Sequence, residues 1–349
     1  MSEAATAPAA ADQRRAFYDH LDPHALAPLW EVLRGLVPPE PRPRSVAHAW
    51  SYATVRPLLL EAGALLSAEE AERRVLVLEN PALRGQSRVA GTMYAGVQLV
   101  LPGETAPAHR HTASALRLVL ESEGGFTAVA GERTTMRRGD LIITPSWAWH
   151  DHGNDGDGPV IWVDGLDIAL VNFFEAGFGQ GYNDKRQQIT RPDGASLARF
   201  GSGLLPLEAA SPFGATSPIF SYPYARSREA VTALAAAGAP ERHLGHTLRY
   251  ANPLDGGWAM PTIATWLTYL PQGFATEAVR STDAQAVVVL EGEVAAEIGD
   301  RTFTLGESDV LAVPGWTWRR FQAARETILF GFSDRSAQEK LAYWREERR

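Results

Sequence analysis

Pro107-Ala108-His109-Arg110-His111 and Trp149-His150-Asp151-His152-Gly153-Asn154 are the two stretches on which the reading of this chain turns. His150 follows His111 by 39 residues, and together the stretches hold four of the nine histidines of a 349-residue chain without cysteine. Side chains two apart in an extended strand share a face, so His109 and His111 aim one way and Arg110 the other. A later strand that brings His150 alongside makes three imidazoles converge. That arrangement is a metal site with open coordination positions, at which a metal can meet substrate or oxygen directly.

The surrounding sequence has the texture of a β-barrel. From about residue 91, short apolar runs alternate with Gly, Asp and Pro, giving expected strands at 92–100, 115–121, 126–130, 141–144 and 160–166. Repeated short strands of this kind fit a double-sheet jelly roll, so the fold class expected is mainly β. Before it, residues 12–36 and 49–66 show helical spacing, as in Leu26, Leu29, Trp30 and Leu33. Ser67 ahead of Glu69 and Glu70 marks a further helix start, and Val75-Leu76-Val77-Leu78 reads as a strand. Residues 1–10, rich in Ala and Pro, are expected to be disordered.

A second β-rich block copies the first. The run 111–121 (HTASALRLVLE) aligns with 281–291 (STDAQAVVVLE), and Pro145-Ser146-Trp147-Ala148-Trp149-His150 aligns with Pro314-Gly315-Trp316-Thr317-Trp318-Arg319. A repeat spaced by about 170 residues implies two copies of one β-domain. The expected divisions are a helical extension over 1–90, a metal-binding domain over 91–175, a linker over 176–245 and a second domain over 246–349. The last of these includes a terminal helix near 336–347. The second copy has Val279, Ser281 and Arg319 where the first has the three histidines, so it is expected to be metal-free. Trp147, Trp149, Trp316 and Trp318 recur in both copies and read as scaffold. Gly177-Phe178-Gly179-Gln180-Gly181 lacks the Lys-Ser/Thr of a phosphate loop and reads as linker.

Composition narrows the partners. A net charge of −8 argues against a general nucleic-acid binder, which needs a basic face, but permits an anionic small ligand in a local positive pocket. With 45% apolar residues the chain can fill packed cores, and no run of 18 apolar residues is present to span a membrane. The start of the chain lacks the basic-then-apolar pattern of a secretory signal, so a cytoplasmic location is expected. The lack of cysteine excludes disulfides and thiolate ligands.

The two opening stretches match the paired signatures of the cupin superfamily. Gly103, five residues and His109-x-His111 give the first; Gly139, five residues, Pro145 and His150-x-x-x-Asn154 give the second, with Trp147 where Gly is usual. Cupins often add a Glu four or five residues after the second His, whereas Ala115 and Leu116 stand here, so a three-His site is expected. Three neutral imidazoles leave a divalent metal its full charge and about three open positions, which suits oxygen activation on a chelating acid. Iron(II) fits that chemistry; zinc could bind but cannot pass electrons.

PAHRHTASALRLVLE, GERTTMRRGDLIITPSWAWHDHGN and VIWVDGLD closely resemble the gentisate 1,2-dioxygenase family, over roughly residues 65–349. The resemblance implies a bicupin, iron(II)-dependent ring-cleaving enzyme, commonly a homotetramer, that joins an aromatic acid with O2. It implies iron on His109, His111 and His150, and the C1–C2 bond of gentisate opened to give maleylpyruvate. Arg117, of the same strand parity as the histidines, is expected to face the substrate carboxylate. His152 looks like the acid/base near the hydroxyls, and Asp164 is expected to orient His152 or another polar group. Tyr94, Gln98, Arg73 and Arg74 match pocket positions. A core tyrosine and cations at an exposed helix end account equally well for Tyr94, Arg73 and Arg74, as does a turn-forming Asp before Gly for Asp164. Salicylate or 1-hydroxy-2-naphthoate cleavage, a non-catalytic metal-binding cupin, and a metal isomerase or decarboxylase are the alternative readings.

Overall fold

A computed structural model describes residues 6–349, which divide between Arg42 and Pro43 into two compact units. The first unit holds helices Thr6–Leu21 and Leu29–Leu36, separated by a 3-10 turn at Asp22–His24. Pro23 and Pro28 cannot continue a helix, which explains the break in the helical pattern. Of the N-terminal tract expected to be disordered, residues 1–5 lie outside the described residues and 6–10 open the first helix. Ala9, Ala10 and Ala11 are strong helix formers, and that propensity outweighs the low-complexity composition.

The second unit contains two β-barrels, each made of two antiparallel sheets. In the first barrel one sheet runs Ser221–Tyr222, Leu141–Thr144, Ala115–Glu121, Val160–Leu166, Tyr94–Val100, Val75–Val77. The facing sheet runs Gly179–Gly181, Thr105–His111, His150–Asn154, Gly125–Val129, Glu132–Thr135. The second barrel repeats this plan, with strands Ala264–Leu270, Val279–Ser281, Gln285–Glu291, Val294–Ile298, Arg301–Leu305, Val310–Val313, Arg319–Ala323 and Thr327–Ser333. Even a register shift recurs, at Ile161/Trp162 in one copy and Val289/Glu291 in the other.

The repeats are interlocked. Strand His48–Trp50 pairs with Val310–Val313 of the second barrel, while its counterpart Ser221–Tyr222 pairs with Leu141–Thr144 of the first. The helix after each strand is crossed in the same way. In helix Tyr52–Leu65, Tyr52 N–H donates to Asp309 Oδ1 at 2.7 Å, and Tyr52 Oη and Arg56 donate to Glu121. In helix Tyr224–Ala237, Tyr224 N–H donates to Asp140 Oδ1 at 2.8 Å, and Tyr224 Oη and Arg228 donate to Glu291. The tract expected as a helical extension thus supplies strands to both barrels, Val75–Val77 where a strand was expected and His48–Trp50 where none was.

Burial on both faces explains the continuous apolar run of Ala115–Glu121. Leu116 and Leu118, with Ile161 and Val163, face away from their barrel and join Ala286, Val288, Phe330 and Phe332 of the other in one buried cluster. The alternate residues Arg117, Trp162 and Asp164 therefore point into the first barrel. Two expectations about connections change. Residues 176–245 are built into the barrels through Gly179–Gly181, Ser221–Tyr222 and helix Tyr224–Ala237. The terminal helix spans only Arg335–Lys340, because Glu346–Arg348 leaves it to pair with Val279–Ser281. Among the described residues no helix is long and apolar enough to cross a membrane.

Candidate metal centre

His109 and His111 lie on one strand and His150 on its neighbour, with His109 and His150 directly opposite in register. Ring centroids are 5.2 Å apart for His109 and His111, 4.1 Å for His109 and His150, and 4.8 Å for His111 and His150. One nitrogen of each ring falls within 4.8 Å of the others, and this is the group among the described residues that could hold a metal. His111 Nδ1 lies 2.7 Å from the Ala113 carbonyl, and His150 Nδ1 lies 2.9 Å from that of Ala148. A carbonyl only accepts, so each Nδ1 carries the proton and each Nε2 keeps its lone pair. His150 Nε2 is buried with no hydrogen-bond partner. Burial, with Arg73 and His111 nearby, pushes the His109 pKa down to about 3; burial likewise lowers His111 and His150. Neutral, mutually facing imidazoles are what a divalent cation requires.

Arg117 is 3% exposed and stands across the strand pair from Asp164. Its Nη1 donates to Thr144 Oγ1 at 2.5 Å, and its Nε lies 3.6 Å from Asp164 Oδ1 without a hydrogen bond of its own. Asp164 accepts from Trp162 Nε1–H at 2.8 Å. Burial pushes its carboxyl up to about 6 although Arg117 pulls the other way. Of the two partners expected for Asp164, His152 or another polar group, the structure brings the second, with Arg117 as its ion-pair partner and Trp162 as its donor. His152 is held through Nδ1 by Thr127 Oγ1 at 2.9 Å. The His152 ring is 5.7 Å from His150 and 5.3 Å from Trp162, and burial keeps it neutral. Gln98, opposite Trp162 in register, has a buried Nε2 with no partner, and burial raises the Tyr94 phenol.

The basic pair splits. Arg73 rests against the His109 ring, with Nη2 donating to the Pro107 carbonyl at 2.6 Å, and lines a cavity of about 420 Å³ with His109 and His111. Arg74 turns the other way into a fork on Glu104, both N–O distances 2.7 Å, and caps the Leu66 carbonyl. It does not join the other candidates, since adjacent residues leave a chain on opposite sides. Gly179–Gly181, read as linker, pairs with the His109–His111 strand and lines the same cavity. A Cβ at Gly179 would stand 3.2 Å from the Arg110 carbonyl, so glycine permits that close pairing. Thr127 and Thr144 were invisible as site residues in sequence; only their inward strand parity hinted at them. Trp147 has φ +63°, which explains why Gly is usual at this position. Arg110 lies 4.4 Å from the ring centres of Trp147 and Trp149, as Arg280 lies over Trp316 and Trp318 at 4.4 and 4.9 Å.

A family model described as a cupin domain matches residues 96–168. The chain is 49% identical over 341 residues to gentisate 1,2 dioxygenase 1 of Aquipseudomonas alcaligenes, covering 98% of each. It is 33% identical to the 5-aminosalicylate 1,2-dioxygenase of a Comamonas species, covering 92% of this chain and 87% of that one. A crystal structure of salicylate 1,2-dioxygenase from Pseudaminobacter salicylatoxidans superposes with a TM-score of 0.90 at 34% identity, covering 96% and 97%. The same enzyme in adducts with gentisate matches with a TM-score of 0.90 at 32% identity, covering 100% of this chain and 96% of that one.

Proposed function

Since this chain belongs to the gentisate 1,2-dioxygenase family of ring-cleaving enzymes, we propose that it converts gentisate and O2 to maleylpyruvate in the first barrel, with iron(II) on His109, His111 and His150. The observation that carries this reading is the conjunction, in one barrel, of three metal-ready imidazoles and one buried guanidinium. When bound, iron(II) supplies open positions for a chelating hydroxy acid and for dioxygen, and a route for electrons between them.

The protein's own groups do the positioning. The Ala113 and Ala148 carbonyls fix the tautomers of His111 and His150, so those two rings already offer Nε2 to a metal. Arg117 meets the substrate carboxylate, and Asp164 and Thr144 hold its guanidinium in place from behind. His152, tied through Nδ1 to Thr127, offers Nε2 to a ring hydroxyl and moves its proton. Gln98 and Tyr94 wall the ring, with the free Gln98 Nε2 as a donor, and Arg73 closes the mouth. Arg74, committed to Glu104, has no part in binding. Both oxygen atoms enter the product, so no external reductant is required. The enzyme acts as a homotetramer in the cytoplasm.

Cleavage of salicylate or 1-hydroxy-2-naphthoate by the same machinery is the second reading; relatives that carry those names or 5-aminosalicylate favour it. The test is anaerobic loading with iron(II), then oxygen uptake with gentisate, salicylate and 1-hydroxy-2-naphthoate in parallel. Uptake of one O2 per gentisate, with maleylpyruvate formed, is the expected result. Preference for another acid transfers the assignment to it, and no uptake with metal bound refutes ring cleavage.

A further inference from the structure

The second barrel has lost the histidines but has not filled its interior. A cavity of about 250 Å³ remains, just under the usual range of small-molecule sites (~300–1,000 Å³), and so is sized for a one-ring ligand. We propose that it is a second binding site, for a small aromatic monocarboxylate held by Arg319.

Arg319 occupies the strand position that His150 has in the first barrel and is 8% exposed. A guanidinium offers five donors, yet Arg319 makes one hydrogen bond among the described residues, from Nη1 to Ser281 Oγ at 3.1 Å. Burying a cation so sparsely satisfied is costly, and a carboxylate in the cavity relieves that cost. Asp283 brings a compensating charge into the same cavity, but its two oxygens are turned to Gln285 Nε2 and Trp344 Nε1, each at 3.0 Å. Arg335 and Glu346 also line it, Arg335 paired with Glu339 and Glu346 with Arg348, and Glu346, like Asp283, places negative charge near Arg319 without a hydrogen bond to it. Exposed Arg249 adds a cation at the rim.

The apolar part of the ligand is read from the opposite wall. Gly331 stands where the first barrel has Asp164, and the Trp266 indole occupies the space above it: a Cβ there would fall 2.2 Å from Trp266 Cε2. Val287 likewise replaces Arg117. The charged pair of the first barrel is thus exchanged for an indole and an aliphatic wall, while the cation has moved to the neighbouring sheet. A flat ring against Trp266 with its carboxylate toward Arg319 uses both features.

The test uses the intact, iron-loaded enzyme without oxygen and 4-bromobenzoate as probe. Equilibrium dialysis is expected to find two sites per chain, one lost in Arg117→Met and the other weakened roughly 10- to 100-fold in Arg319→Gln. Crystals of the unaltered enzyme soaked with the probe should show anomalous bromine scattering beside Trp266. One site per chain, insensitive to Arg319→Gln, or bromine confined to the first barrel, overturns the proposal. The bromine position decides even where Arg319→Gln fails to fold.

Discussion

Replacing Arg117 with Met separates what this residue does for the fold from what it does for the substrate. In the unaltered protein Asp164 titrates at about 6, so at pH 7 its charged form is favoured over the neutral one by about 1.4 kcal/mol. When the guanidinium is gone, Asp164 escapes a buried, unpaired charge by taking up a proton. The electrostatic loss at pH 7 is therefore capped near that same ~1.4 kcal/mol, below the ~3–5 kcal/mol of a stranded charge that cannot neutralise. The lost bond to Thr144 adds about 1 kcal/mol. Below pH 6 Asp164 is protonated in both proteins, so the electrostatic part of the deficit vanishes as pH falls from 7 to 5.5. Urea unfolding at the two pH values measures this. Oxygen uptake then measures the substrate role, where loss of a charge-assisted contact raises KM for gentisate roughly 10- to 100-fold. In the double variant Arg117→Met/Asp164→Asn, the electrostatic part of the stability at pH 7 recovers, since Asn still accepts from Trp162, while the loss of the Thr144 bond and the raised KM remain. A stability deficit equal at both pH values refutes the coupling; recovery of KM in the double variant refutes the carboxylate contact.

His150→Ala should reduce bound iron from one per chain to a small fraction and abolish turnover, and elemental analysis showing near-normal iron would remove His150 from the ligand set. Arg73→Met and Arg74→Met should part company. The first raises KM with little change in unfolding, and the second costs about 1–3 kcal/mol by removing the fork on Glu104, which keeps its bond from the Leu101 N–H, while leaving KM alone; the reverse pattern in paired kinetic and urea measurements contradicts the assignment. Phe332→Ala, in the apolar layer between the barrels, should cost about 3–5 kcal/mol without changing kcat per folded, iron-loaded molecule. A kcat loss exceeding the folded fraction would show that the interface reaches the site.

Much of the site was legible because its signals are local. Two residues of spacing in His109-x-His111 fix a shared face, and the alternation in 115–121 puts Arg117 on the face opposite Leu116 and Leu118. The repeat was legible from aligned runs, and the strands at 115–121, 141–144 and 160–166 have the bounds expected. Partners were not legible where two side chains meet across distant strands. Asp164 finds Arg117 rather than His152, and Arg74 finds Glu104 rather than the pocket, because strand register and the twist between adjacent residues decide those meetings.

The sequence by itself pointed to the three candidate histidines, the β class and the duplication, since the His109–His111 pair and the strands rest on a period that backbone geometry imposes, and His150 and the repeat on matched runs of sequence. Only the tertiary structure decided that strands His48–Trp50 and Ser221–Tyr222 are exchanged between barrels, and that Gly179–Gly181 edges the metal-site strand. It also decided that Arg319 looks into a cavity instead of a packed core. The physical reason is the same in each case. Edge pairing and cavity volume depend on which surfaces are left uncovered once every other element has packed, and no local stretch of chain carries that information.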